Sequence, residues 1–548
     1  MVKMDALRRA FPSAAFFLCS PHSKKFQVFQ KNSINGLFPC IGINRQKKSS
    51  EGQKMIQPQF ENHRYVGEIC RVKSQSIVEC RLPGSEVNGI LAIHAHAVPG
   101  DSACLNGEVQ YGGRVLLCVV YEDGNKKICR AERGVEFFHK AEGEDLTPSC
   151  FAKVALSAEN VAWRREGSGI YVSIVVDASI VAYGGKQMEY LVDGEDLVVK
   201  KAETSVFKSL CVSGDVEGED EFDTDYVGDV LLHDERAIVT RVTVVDGQID
   251  VEGELHLHVC VLKEDESVCS YERLVPFKSS IPSEEAFGKI TAGARVFVKS
   301  AQLTADTDEE KGKGRIVFSY CLAVECYLVV LEKVSKAEDA FSLSHDVTLK
   351  TKDDGGMYLT NQSKWVERVR GGAILSPMVE GDFTLQAAML PRTEILVKKG
   401  ERGMEVEGAV LAEVLFRNAE GNYRSATLSV PILFPVEVVG DHVEADAAVC
   451  GLNVRRKKDG EMEAECIVKL SLRSYEKREW SYVNEVAIGE AYGENEYGFS
   501  IFMTEKGEEL WQVAKRIRSA PEEVVKSNPT LEFPLKGRER LFVYRRRK

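Results

Sequence analysis

From about residue 61 the chain alternates apolar and polar positions with a period of two, the mark of half-buried β-strands. Around residue 250 it reads Val251-Glu252-Gly253, then Leu255, Leu257, Val259 and Val261 on one face with His256 and His258 on the other. A turn at Glu264-Asp265-Glu266 leads to a second strand ending Val275-Pro276-Phe277. The frame returns 155 positions on as Val406-Glu407-Gly408, then Val410, Ala412, Val414 and Phe416, a turn at Glu420-Gly421-Asn422, and Val430-Pro431-Ile432. Upstream, Cys118–Asp123 echoes Cys260–Asp265, and Cys129, Glu132, Arg133, Val135 and Phe137 echo Cys269, Glu272, Arg273, Val275 and Phe277.

Each copy adds a further pair of extended segments: Val154–Trp163 with Gly169–Tyr183, Val296–Thr304 with Gly314–Leu331, and Ala447–Val454 with Gly460–Leu472. Polar turns separate them, as hairpins require. Polar prefaces, Cys70–Cys80, Cys211–Phe222 and His345–Gly356, precede the copies. Self-similarity at this period predicts a mainly β chain of three tandem β-sandwich-like or barrel-like repeats, at 61–198, 205–335 and 341–485, built from short strands.

After Gly493 the period changes. Leu510, Val513, Ala514 and Ile517 lie at i, i+3, i+4 and i+7, one face of a helix from about Glu508 to Ile517. Glu508 and Glu509 fall in its first turn and Lys515 and Arg516 in its last, complementing the helix dipole. A second helix is expected to start at Ser519 with Glu522 completing a capping box, and to stop at Asn528-Pro529. Phe499–Thr504 and Arg540–Tyr544 would pair beside them, giving a small β-α-α-β unit at 496–545.

Charge changes the picture at one end. The 548 residues carry 71 Lys/Arg against 84 Asp/Glu, a net −13 that argues against a nucleic-acid binder held by phosphate contacts. Residues 1–54 hold ten bases and only Asp5 and Glu51, so this segment is basic. It reads as a disordered extension ahead of a true start at Met55, a cleaved signal built on Ala14–Cys19, or a basic arm. No run approaches the roughly 20 apolar residues of a membrane helix, so an integral membrane protein is not expected. The fifteen cysteines are odd in number, form no Cys-x-x-Cys, and read as free core thiols of a reducing compartment.

Catalytic patterns are missing from the sequence: no phosphate loop, no Gly-x-Ser-x-Gly elbow and no His-Glu-x-x-His helix. Lys311-Gly312-Lys313-Gly314 is a turn, and the acidic run from Asp215 to Asp225 reads as a solvated linker. His94/His96 and His256/His258 have two-residue spacing on one strand face but occupy positions where polar residues belong, so no metal or cofactor is expected. The chain reads as non-enzymatic.

The tail carries a resemblance. Lys506-Gly507-Glu508-Glu509-Leu510-Trp511-Gln512-Val513-Ala514-Lys515-Arg516, Pro521-Glu522-Glu523-Val524, Asn528-Pro529 and Leu535-Lys536-Gly537 are similar to a LysM domain. The resemblance implies a groove for N-acetylglucosamine glycans formed by Gly507, Glu508, Glu509 and Leu510 with Asn528, Pro529, Thr530 and Leu531. In that family Asp-Thr or Asp-Ser usually follows the glycine, and the short hydroxyl can donate a hydrogen bond to a sugar acetamide. Ionised Glu508 and Glu509 can only accept hydrogen bonds, which makes a protein ligand credible. Trp511 could stack on a sugar or lie half-buried on the helix.

With the Val-Glu-Gly and Val-Pro-Phe/Ile motifs, the chain from Met55 resembles SPOCS-repeat sporulation and spore-coat proteins of clostridial type closed by a LysM domain. That likeness implies a spore-coat morphogenesis scaffold made in the mother-cell cytoplasm and placed at the forespore surface. Its implied partners are the spore-coat basement ATPase or other coat proteins. The alternative is a peptidoglycan-binding protein of the cell wall.

Overall fold

A computed structural model describes residues 56–544 except 85, 168, 226–227, 309–312, 380–381, 402, 458–460 and 494–497. The 1–54 segment, Lys311-Gly312 and the Arg545–Lys548 tail therefore lie outside the described residues.

The chain is mainly β, and among the described residues the body is eighteen antiparallel strands in three successive sets. The first set is β1 (Gln57–Pro83), β2 (Gly89–Leu105), β3 (Glu108–Glu122), β4 (Ile128–Glu142), β5 (Phe151–Glu166) and β6 (Gly169–Glu195). The second is β7 (Leu197–Thr224), β8 (Gly228–Val245), β9 (Gln248–Lys263), β10 (Val268–Pro282), β11 (Ile290–Asp308) and β12 (Lys313–Ser342). The third is β13 (His345–Ser376), β14 (Phe383–Gly400), β15 (Gly403–Asn418), β16 (Tyr423–Val436), β17 (His442–Arg456) and β18 (Met462–Ala491).

One strand order recurs. The sheets run β1-β6-β5 with β2-β3-β4, then β7-β12-β11 with β8-β9-β10. In the third set the same two trios join into one sheet, β14-β15-β16-β13-β18-β17, through Ile374–Ser376 of β13 pairing with Thr427–Ser429 of β16.

The two short sequence motifs turn out to face each other. Gly253 lies opposite Phe277 across β9–β10, Gly408 opposite Ile432 across β15–β16, and Gly113 opposite Phe137 across β3–β4. At each site a Cβ would press on a carbonyl of the strand on the other side. It would sit 2.5 Å from Val98 O at Gly113 and 2.6 Å from Ile238 O at Gly253, and closer still to Glu394 O at Gly408. The facing ring of Phe277 also fills the space over Gly253. Glycine is thus required by close approach of neighbouring backbone.

The register also corrects one alignment. Tyr121 pairs with Cys129 and Val261 with Cys269, so Val120, not Cys118, is the counterpart of Cys260. A slip of two residues leaves every side chain on its original face, so the hydrophobic pattern does not detect it.

Strands are longer than the expected short ones: β1, β6, β7, β12, β13 and β18 run from 27 to 32 residues. The acidic run is not a linker. It forms the second half of β7, paired with β12 from Asp215↔Ala323 to Thr224↔Gly314. Cations face its carboxylates, Lys299 at Asp215 (2.7 Å) and Arg273 at Asp220 (2.6 Å).

Each set has an apolar core, typified by Val115, Val172 and Ile174, by Leu257, Phe318 and Leu322, and by Val410, Leu428 and Leu470. Further cores are shared. Leu91, Leu232 and Met389 bury one another at one junction, and Met188, Phe207 and Trp480 do so at another. Parts of the faces between sets are therefore buried, which narrows the free surface expected of separate repeats. Only Asp196, with φ +60°, separates β6 from β7, and only Leu343 and Ser344 separate β12 from β13. Asp196 accepts a hydrogen bond from Ser342 at 3.2 Å and another from Ser344, pinning the two connections together.

Polar pairs complete the closure. Lys153 meets Glu325 at 3.1 Å, Arg71 meets Glu444 at 3.2 Å, and buried Arg473 binds Glu444 (3.3 Å) and Asp446. Tyr183, Tyr327 and Tyr475, one from each set, converge on a small cavity there.

Candidate functional site

The C-terminal module is β19 (Phe499–Met503), α1 (Leu510–Ile517), α2 (Pro521–Ser527) and β20 (Arg540–Tyr544), with β19 and β20 antiparallel. Val513, Ala514, Ile517, Val524, Leu541 and Val543 form its core. Capping differs from expectation. Glu509 is the N-cap of α1, in a reciprocal box with Gln512, while α2 is capped at Ala520 without a side-chain bond. Pro521 supplies the preset φ that lets α2 start there.

The predicted groove residues separate by role. Gly507, at φ +87°, donates its N–H to Leu535 O at 2.8 Å, and Leu535 donates back to Glu508 O at 3.0 Å. Glu508 is engaged: Oε2 accepts the Glu505 N–H at 2.7 Å and Oε1 meets Arg516 at 2.7 Å. Buried Asn528 donates to Val524 O (2.9 Å) and Phe542 O (2.8 Å) and accepts from the Phe542 N–H (2.7 Å), locking α2 to β20. Leu510 and Leu531 come together on the module core. Gly507, Glu509, Pro529 and Thr530 remain exposed.

Trp511 is half-buried against the body. Its indole Nε1–H donates to Asp339 Oδ2 at 2.8 Å and its ring meets Phe341 edge-on at 5.2 Å. Lys515 binds the same carboxylate at 2.7 Å, and Arg518 stacks 3.3 Å above Tyr492. Neither Asp339 nor Phe341 has a local sequence signal, since both belong to the end of β12.

The β19–β20 ribbon presents apolar side chains to solvent. Its outer face exposes Phe499, Ile501, Met503, Phe542 and Tyr544, with Phe499 and Tyr544 rings 5.1 Å apart. Ser500 and Phe502 on β19 and Leu541 and Val543 on β20 alternate with them toward the core side.

In the body, a cavity of about 500 Å³ lies between the first two sets, lined by His94, His96, Arg114, Arg130, His233 and Glu235. Burial pushes His94 down to about 4 and also lowers His96, so both rings are neutral near pH 7. Arg130 donates to Val230 O at 2.8 Å and also meets Glu132. The wall is thus largely self-paired. A wider cavity of about 920 Å³ touches all three sets through His96, Arg236, Arg295, Arg392, Glu394 and Asp446. The histidine pairs do not act as pairs: His96 Nε2 contacts Val298 O at 3.2 Å, and His258 Nε2 contacts Val449 O at 2.9 Å. No helix among the described residues is long and apolar enough to cross a membrane.

No family model, curated protein or solved structure matches the chain.

Proposed function

We propose that the protein is a non-enzymatic assembly scaffold of the spore envelope, with three tandem β repeats as its frame and a LysM-like C-terminal module as its docking element. The recurring strand order supports the repeat reading, and the β-α-α-β order with the quoted motifs supports the LysM one. The observation that carries the function is the exposed apolar face of Phe499, Ile501, Met503, Phe542 and Tyr544. It offers a protein partner an apolar surface, while Asp339 holds the opposite part of the module to the frame. The partner we assign is a coat protein, the coat-basement ATPase foremost, at the forespore surface in the mother cell.

The test is affinity purification from sporulating cells with the full chain and with Ile501→Lys and Phe542→Lys. Coat proteins should be captured by the parent and lost with both variants, which keep their β-sheet circular dichroism. Equal capture by all three would refute the reading. A second reading, peptidoglycan binding in the cell wall, is favoured by the exposed loop at Gly507 and Glu509 and by Pro529 and Thr530. Firm retention on purified peptidoglycan, lost with Thr530→Ala and unaffected by Ile501→Lys, would decide for it.

A further inference from the structure

Where the second set meets the third, β17 lies against the β9–β10 hairpin. His258 Nε2 touches Val449 O at 2.9 Å, and the Gly451 N–H donates to Glu272 Oε2 at 2.7 Å. Between these two contacts sit His256, Glu272 and Cys450, whose ligand atoms all lie within 4.8 Å of one another. His256 is 1% exposed, and neither of its ring nitrogens has a hydrogen-bond partner. A buried imidazole with both nitrogens unsatisfied is costly and calls for an explanation. Glu254 Oε2 stands 3.4 Å from Nε2, and that carboxylate is itself held by Lys364 at 2.6 Å and Lys469 at 2.7 Å.

We infer that His256, Glu272 and Cys450 form a zinc site that clamps the second strand set to the third. The donor set is nitrogen, oxygen and sulfur, the mixture that zinc accepts, with three protein ligands and a fourth position for water. Charge balances: the thiolate of Cys450 and the carboxylate of Glu272 neutralise the dication, so the complex adds no net charge to a largely buried place. Binding releases the Cys450 thiol proton to solvent, because a zinc-bound thiol is deprotonated outright. Since Nε2 is the nitrogen turned to Glu254, Nδ1 is the one assigned to the metal. Nε2–H then faces a carboxylate, the outer-shell arrangement that fixes a zinc-bound histidine. Zinc draws N, O and S donors to about 3.3–3.8 Å from each other, so the cluster closes slightly on loading. Sequence spacing hides the site, because Cys450 comes from a different strand set.

The experiment uses the full chain, stripped with a chelator and titrated with Co²⁺ and then Zn²⁺. A thiolate-to-cobalt charge-transfer band is expected for the parent, absent in Cys450→Ser and retained in Cys466→Ser. Glu272 is exposed and its amide replacement still accepts the Gly451 N–H, so Glu272→Gln folds and its metal-free melting temperature stays at the parent value. Its zinc affinity falls about tenfold or more. Zinc raises the melting temperature of the parent and not of Cys450→Ser. If Cys450→Ser and Glu272→Gln bind zinc as the parent does, or if the parent takes up no zinc, the assignment is wrong.

Discussion

Replacing Gly253 by alanine separates a packing requirement from a generic strand position. At an extended position with free space, Gly→Ala removes backbone entropy from the unfolded chain and stabilises by about 0.4–1 kcal/mol. Gly253 has no such space. A Cβ there lies 2.6 Å from Ile238 O, which is backbone fixed in the β8–β9 ladder, and also meets the Phe277 ring. The ring tip can swing aside, whereas the carbonyl can move only with its strand. Overpacking of this kind costs about 1–3 kcal/mol. The net expectation for Gly253→Ala is a loss of about 1–2 kcal/mol, read as a lower urea midpoint by circular dichroism with the slope unchanged. Gly372 in β13, where a Cβ meets nothing within 4 Å, is the internal control and should be neutral or slightly stabilised by the same change. Phe277→Leu in the Gly253→Ala background should relieve the ring contact and leave the carbonyl one, so the double variant costs less than the sum of the singles. Gly253→Ala within about 0.5 kcal/mol of the parent, or indistinguishable from Gly372→Ala, would refute the close-approach reasoning.

Three other predictions concern charge and docking. Burial holds His94 down to about 4, with Asp234 and Glu235 opposing that shift and Arg236 and His96 reinforcing it. The unfolded histidine titrates near 6.5. Between pH 6.5 and 4 the unfolded state binds more protons, so stability falls as pH falls, by about 2 kcal/mol at pH 5. Asp234, which burial would raise but Arg236 and the facing histidines hold at about 2, stays ionised across that window. Buried His256, also held down to about 4, and His96, also lowered, add to the fall, so urea midpoints at pH 7 and pH 5 should differ by at least this amount, and His94→Asn should remove only its own share of the difference. Arg473→Leu strips half-buried Asp446 of its ion-pair partner and leaves Glu444 only Arg71, and should cost about 2–3 kcal/mol in the same assay. Asp339→Ala removes the acceptor of both Trp511 and Lys515, and should weaken module docking by about 1–3 kcal/mol. Tryptophan emission shifted to the red and faster proteolysis between β18 and β19 would register it, and an unchanged cleavage rate would count against the docking role.

Local alternation and turn chemistry were enough to mark the mainly β character and the hairpins around the repeated motifs, because side-chain period and turn residues are properties of contiguous sequence, but not the full length of the strands. The helices of the tail were legible for the same reason: Leu510, Val513, Ala514 and Ile517 mark one face whatever surrounds them. Tertiary structure alone decided how the sets close on one another. Leu91, Leu232 and Met389 read as ordinary core positions until they are seen to bury each other. The acidic half of β7 looked too polar for a strand because Lys299 and Arg273, its neutralising partners, come from β11 and β10. Asn528 read as a groove residue, but its side chain is held by Val524 and Phe542. Asp339 acquires its partner Trp511, and Cys450 comes within 4.8 Å of a His256 nitrogen, only across folded distance. Pairing between remote segments depends on where the backbone carries them, and a one-dimensional pattern records only which face each residue would present.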